Sequence, residues 1–273
     1  MQCLRFVDVT AWDLTSSEWR RLLLQLPDHE QKQVTRFMFA KDQKLALASR
    51  LLQRQLIHEL FGVEYDTIDI ARTPENKPYW NRPPGNPAPS SWNFNVSHHG
   101  TIVTIASDAR SLVGVDVVRL TDRPHRKTSI EDFFRAFTGH FNPGEWEYIR
   151  GAEDEDRQYI RFYKLWSLKE AYIKAVGIGL GFSLLRAEFV RVEDQWELLL
   201  DGERSSDWRF ASTQIDAAHL VSVAYGPFSA MWKPDTSSLF HADISPSSQS
   251  VVYTEEAKQT ASWQKWTLQD LLL

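Results

Sequence analysis

The sequence predicts an α+β protein built from two similar lobes. Three observations lead there. A long helical pattern runs from Lys41 to Phe61, with Leu45, Ala48, Leu52, Leu56 and Leu60 at helical spacing. A second runs from about Gln158 to Val176, and each is followed by a set of short strand-like segments. The stretch FAKDQKLALASRLLQRQL in the first half also weakly echoes YKLWSLKEAYIKAVG in the second.

The elements read in order as follows. Residues 4–9 (LRFVDV) form a strand, and Thr15 to Leu26 a helix capped by Ser16 or Ser17, with Trp19, Leu22, Leu23 and Leu26 as its apolar stripe. Residues 28–36 are polar and irregular. Gly62 stops the helix that begins at Lys41. Residues 66–71 form a short strand, while 74–91 hold six of the twelve prolines and read as loop. Strands follow at 93–96, 102–107 and 112–118, the last β-branched and buried. A basic loop occupies 119–130, with helices at 131–138, 143–150 and 158–176, where Gly177 is the stop. Segments 185–192 and 195–201 alternate as a hairpin, and 218–225 as another strand. Residues 234–250, rich in Ser, Asp and Pro, read as loosely ordered, and SWQKWTLQDLLL as an amphipathic turn or two docking on the body. The organisation expected is an N-terminal lobe 1–110, a C-terminal lobe 111–227 and an extension 228–273.

Composition excludes several classes. A net charge of −5 argues against general nucleic-acid binding, which needs a basic surface, though not against a local basic pocket. No stretch approaches the ~20 apolar residues that span a bilayer. The start, MQCLRFVDVTAWDL, lacks an apolar core behind a basic head, so no signal peptide is expected. Cys3 is the single cysteine, which rules out an intrachain disulfide and fits a reducing compartment such as the cytosol. The oligomeric expectation is a monomer.

Three segments concentrate polar residues in apolar context: NFNVSHHG (93–100), VGVDVV (113–118) and WSLKEAYIKAVGIGLGF (166–182). Asp116 interrupts a Val-rich strand, and an ionised carboxylate there is costly unless paired or metal-bound. A salt bridge, or exposure at a sheet edge, is the plainer explanation. Gly114 lies two residues before it, on the same strand face, where a missing side chain would leave room for a ligand. Glu170 and Lys174 are four apart on a helix and share a face. Alone they would be a surface ion pair worth ~0.3–0.5 kcal/mol. However, Trp166 shares that face, and Gly177, Gly179 and Gly181 follow directly. These glycines end a helix rather than open one after a strand, so a dinucleotide fingerprint fails on context, and no Walker A sequence exists. His98 and His99 point to opposite faces of a strand and make a poor metal pair; packing, solvation or a phosphate contact remain open for them.

The three segments, in this order, resemble the 4′-phosphopantetheinyl transferases of the Sfp type, and the animal members in particular, over about residues 30–225. VGVDVV is similar to that family's G-x-D signature and WSLKEAYIKAVGIGLGF to its W-x-x-K-E-x-x-x-K signature with trailing glycines; the matching FNVSHHG makes chance coincidence far less likely than for either alone. The resemblance implies two pseudo-twofold-related lobes with the active site in the cleft between them. It implies that Asp116 and Glu170 hold Mg²⁺ against the pyrophosphate of coenzyme A, with Glu170 and Lys174 catalytic. Arg36, Arg72, Lys77, Asn95, Ser97, His98 and Lys169, besides Glu170 and Lys174, would surround the co-substrate. The implied partners are apo-acyl carrier domains, as in fatty acid synthase or aminoadipate-reductase-like enzymes. Two positions depart from family patterns. Val118 stands where bacterial members carry a second acid, and Gln33 where the animal members carry an arginine, a place Arg36 is expected to fill.

Overall fold

The computed structural model describes residues 2–124, 128–231 and 262–272. The chain divides into two compact units, Met1–Ser111 with Trp232–Leu273, and Leu112–Met231. The stretch 234–250 expected to be loose lies outside the described residues, as does part of the basic loop, at 125–127.

The first unit opens with strand β1 (Cys3–Asp8). Helix α1 (Ser17–Leu24) follows, and Ser16 is the cap: its hydroxyl accepts from the Trp19 backbone N–H at 3.0 Å. Residues expected to be irregular form helix α2 (Asp28–Thr35). Its buried residues are Val34 and Glu30, too few for an apolar stripe. Instead Glu30 accepts from the Arg54 guanidinium at 2.7 Å, and Arg50 Nε lies 3.7 Å away. Helix α3 (Ala40–Phe61) runs to Gly62, whose φ of 63° makes it the left-handed stop. The proline-rich stretch conceals a short strand: β2 (Ile70–Arg72) pairs with β3 (Pro78–Trp80), with Pro78 at the end of the ladder where no donor is needed. Strands β4 (Asn93–His99) and β5 (Ile102–Asp108) pair antiparallel, and β5 pairs antiparallel with β1. Helix α3 packs on β4 and β5, burying Leu47, Leu51, Leu52 and Leu56 against Val7, Val103 and Ile105.

In the second unit, strand β6 (Leu112–Arg119) is paired on one side by a late strand of the unit. Helices α4 (Ile130–Arg135) and α5 (Pro143–Arg150) follow, the latter started by a capping box of Asn142 and Glu145 with proline at its first position. Helix α6 (Glu155–Val176) begins earlier than the periodicity implied, because the Asp154 carboxylate accepts from the Arg157 N–H at 2.8 Å and fixes the first turn. Strands β7 (Ala187–Val192), β8 (Gln195–Leu200) and β9 (Glu203–Ser205) form one antiparallel sheet. Strands β10 (Arg209–Gln214) and β11 (His219–Gly226) join β6 in a second sheet of order β10-β11-β6. Helix α6 lies across β6 and β11.

The segment expected to dock as an amphipathic turn or two begins as a short strand, β12 (Gln264–Trp266), and continues as a single 3-10 turn at Gln269–Leu271. β12 adds in parallel to β1 and so belongs to the first unit, with Trp266 and Leu271 buried in its core. No helix among the described residues is long and apolar enough to cross a membrane.

Candidate active site

The second unit brings together three residues that the sequence singled out. On β6, alternation sends Leu112, Gly114, Asp116 and Val118 to one face. Asp116 lies midway along β6, the edge strand of the sheet, opposite Ser222 of β11, yet its side chain is only 8% exposed. A carboxylate so placed requires a positive partner. Lys174, near the end of α6, donates its ammonium to Oδ1 of Asp116 at 2.5 Å. Glu170, one turn earlier and partly buried, lies in the field of both. Burial pushes its carboxyl above the ordinary range, the Asp116 charge pushes it further, and Lys174 opposes both. The site is therefore two acids sharing one ammonium.

Gly114 makes this meeting possible. A Cβ there would stand 2.1 Å from the Ala171 carbonyl oxygen and 2.3 Å from the Ala175 nitrogen, both backbone atoms of α6. The room expected for a ligand is thus filled by the helix, and the glycine serves close helix-on-strand approach. Ser167 ties the same two elements, donating its hydroxyl to the Asp116 carbonyl at 3.2 Å.

Lys169 requires a correction. Its ammonium is fully buried, donating to Glu145 Oε2 at 2.8 Å, to the Ala187 carbonyl at 2.6 Å and to the Leu184 carbonyl at 2.9 Å. Its three donors are therefore used inside the second unit, and none is left for a co-substrate. Glu145 also accepts from the backbone N–H groups of Asn142 and Phe189. Burial works against both charges, raising the Glu145 carboxyl and lowering the Lys169 ammonium, while the ion pair opposes each shift. Sequence reasoning missed Glu145; N-P-G-E at 142–145 announces a cap, but nothing local announces the buried lysine it meets.

The remaining predicted residues lie in the first unit. Arg36, the C-cap of α2, is exposed, and Arg72 at the end of β2 donates to the Asn76 carbonyl at 3.0 Å. These two, distant in sequence, both lie close enough to Arg50 that their positive charges oppose its own. Burial lowers Arg50 most, Glu30 opposes, and Arg72, Arg36 and Arg54 lower it further. Arg50 was not foreseen. It donates to the Gln33 side-chain carbonyl at 2.9 Å, which places a guanidinium beside the position where a relative's arginine was expected. Lys77 is partly exposed as a residue, yet desolvation of its ammonium pushes it down to about 7. On β4 the expected trio divides. Asn95 and Ser97 are buried on one face, whereas His98 is exposed and falls on the other with Phe94 and Val96.

Two family models match the chain: "4'-phosphopantetheinyl transferase, N-terminal" over residues 10–110 and "4'-phosphopantetheinyl transferase superfamily" over residues 112–224. Among curated relatives, the L-aminoadipate-semialdehyde dehydrogenase-phosphopantetheinyl transferase of Pongo abelii is 37% identical, covering 85% of this chain and 75% of its own. The same-named protein of Homo sapiens is 36% identical with equal coverage. A phosphopantetheinyl transferase of a Thraustochytrium strain is 38% identical, covering 79% of this chain and 78% of its own. With both units matched and this identity sustained over most of each relative, the chain is an enzyme of the 4′-phosphopantetheinyl transferase superfamily.

Proposed function

We propose that this enzyme moves the 4′-phosphopantetheinyl group of coenzyme A onto a serine hydroxyl of an apo-acyl- or peptidyl-carrier domain, releasing 3′,5′-ADP, with Mg²⁺ held by Asp116 and Glu170. The observation that carries this reading is the contact of Lys174 with Asp116 across 58 residues of sequence, beside a glutamate that feels both charges.

The donor set suits a hard cation. Two carboxylates converge, and that of Glu170 is driven up by burial and by the Asp116 charge, with Lys174 opposing. No group of three or more His, Cys, Asp or Glu side chains suited to a metal occurs among the described residues. Mg²⁺ commonly takes one or two carboxylates and completes its shell with water and substrate phosphates, which this pair satisfies. Bound there, it would supply Lewis-acid polarisation and charge neutralisation at the pyrophosphate.

The chain's own residues account for the rest. The nucleophile belongs to the carrier, so this chain needs only alignment, charge stabilisation and a base. Lys174 turns its ammonium toward the phosphoryl oxygens where negative charge develops. Glu170, its carboxyl raised by burial and by the Asp116 charge, accepts the serine proton. The serine oxygen forms its bond to the phosphorus bearing pantetheine as the bond from that phosphorus to the ADP oxygen breaks, and the electron pair leaves with 3′,5′-ADP. Arg36, Arg72 and Lys77 are proposed to take the nucleotide's phosphates, with Asn95 and Ser97 offering one polar strand face to the nucleoside. Carrier domains of fatty acid synthase and of aminoadipate-reductase-like enzymes are the proposed substrates; the names of the animal relatives point to the second.

The test is intact-mass measurement of several apo-carriers after incubation with coenzyme A and Mg²⁺. We expect one phosphopantetheine added per carrier, abolished by chelation. Absence of any mass gain across the panel would refute the reading.

A further inference from the structure

The ammonium of Lys174 occupies Oδ1 of Asp116, one of the two carboxylates offered to the cation. The pair is shielded, with the Asp116 side chain 8% exposed and that of Lys174 30% exposed. An ammonium and a divalent cation repel when both face one largely buried carboxylate, so an ammonium seated there opposes metal entry.

The formal charges make the consequence explicit. Asp116, Glu170 and Lys174 sum to one negative charge. A divalent cation alone turns this to one positive charge, and a pyrophosphate diester alone turns it to three negative charges. Both together restore the single negative charge. Without Lys174, the two carboxylates would be neutralised by the metal alone. The lysine also has somewhere to go. It ends a flexible four-carbon stem in the last turn of α6, and phosphate oxygens are alternative acceptors for its three donors. Gly114 and Ser167 hold the helix backbone against β6, so the side chain can turn while Glu170 stays in place.

We propose that Lys174 couples the two ligands: it withholds Asp116 from the cation until the pyrophosphate of coenzyme A draws the ammonium away. The inference rests on the reading above, that Asp116 and Glu170 bind the metal and coenzyme A is the donor. Metal and coenzyme A then bind synergistically, each strengthening the other by the same factor, as linkage requires. The protein alone holds the cation weakly.

The experiment is calorimetric titration of Mg²⁺ into wild type and Lys174→Met, each with and without coenzyme A, and no carrier present. Melting curves confirm that both are folded. Lys174→Met should bind Mg²⁺ alone about tenfold more tightly than wild type alone, and the gain from coenzyme A should shrink by about the same factor. Equal or weaker metal binding by Lys174→Met alone, with Mg²⁺ still bound when coenzyme A is present, overturns the coupling role and leaves the metal site standing. No Mg²⁺ binding by either protein, with or without coenzyme A, overturns the metal site and the coupling together.

Discussion

Gly114→Ala is the sharpest perturbation the structure offers. The added methyl meets backbone rather than a yielding side chain, standing 2.1 Å from Ala171 O, 2.3 Å from Ala175 N and 2.8 Å from Ala175 Cα. Restoring ordinary contact at about 3.4 Å requires α6 to withdraw by about 1.3 Å. Overpacking of this kind costs ~1–3 kcal/mol, and more where the backbone must move, which corresponds to a fall in melting temperature of roughly 3–10 °C. The functional loss should be larger in proportion. Glu170 and Lys174 ride on α6, so the same withdrawal breaks the 2.5 Å contact with Asp116. A misplacement near 1 Å removes on the order of 10²-fold from a rate that depends on alignment. The assay is thermal melting together with transfer to an apo-carrier under saturating coenzyme A and Mg²⁺. Gly139→Ala is the control, because a Cβ there meets nothing within 4 Å. If Gly114→Ala melts and transfers as Gly139→Ala does, the close approach of α6 to β6 does not build the site.

Three further outcomes follow from the same contacts. Glu170→Gln should lose transfer by ~10²–10⁴-fold while retaining coenzyme A binding, since it removes the proton acceptor and a ligand without altering shape; near wild-type transfer would remove both roles. Lys169→Met leaves the Glu145 carboxylate buried and unpaired, so stability should fall by ~3–5 kcal/mol in denaturant unfolding, and pairing it with Glu145→Gln should recover part of that loss. In metal-free protein, the carbon-detected titration of the Glu170 carboxyl should lie above the ordinary carboxylate range. Asp116→Asn should move it down, because a charge that raises it is gone, and a shift upward or none would contradict the proximity of the two acids.

The sequence made the cluster of Asp116, Glu170 and Lys174 more legible than its supports. Asp116 stood out because a carboxylate in a Val-rich strand needs a partner, and the i, i+4 relation put Glu170 and Lys174 on one helix face. Both signals are local in period. The role of Gly114 was not legible, because strand alternation tells which residues share a face but not which helix covers it. Lys169 misled for a related reason. It lies beside Glu170 in sequence yet about 100° around the helix, and its partner Glu145 sits on a different helix. Helix α2 escaped notice because Glu30 is held by Arg54 instead of an apolar stripe. β12 escaped because three residues become a strand only when β1 supplies the ladder.

The most direct measurement is the Mg²⁺ dependence of carrier modification by Asp116→Ala and wild type at saturating coenzyme A. With this carboxylate in the metal's shell, the variant should be inactive at concentrations that saturate wild type, recovering, if at all, only at much higher metal. Superimposable titration curves would show that Asp116 does not hold the ion.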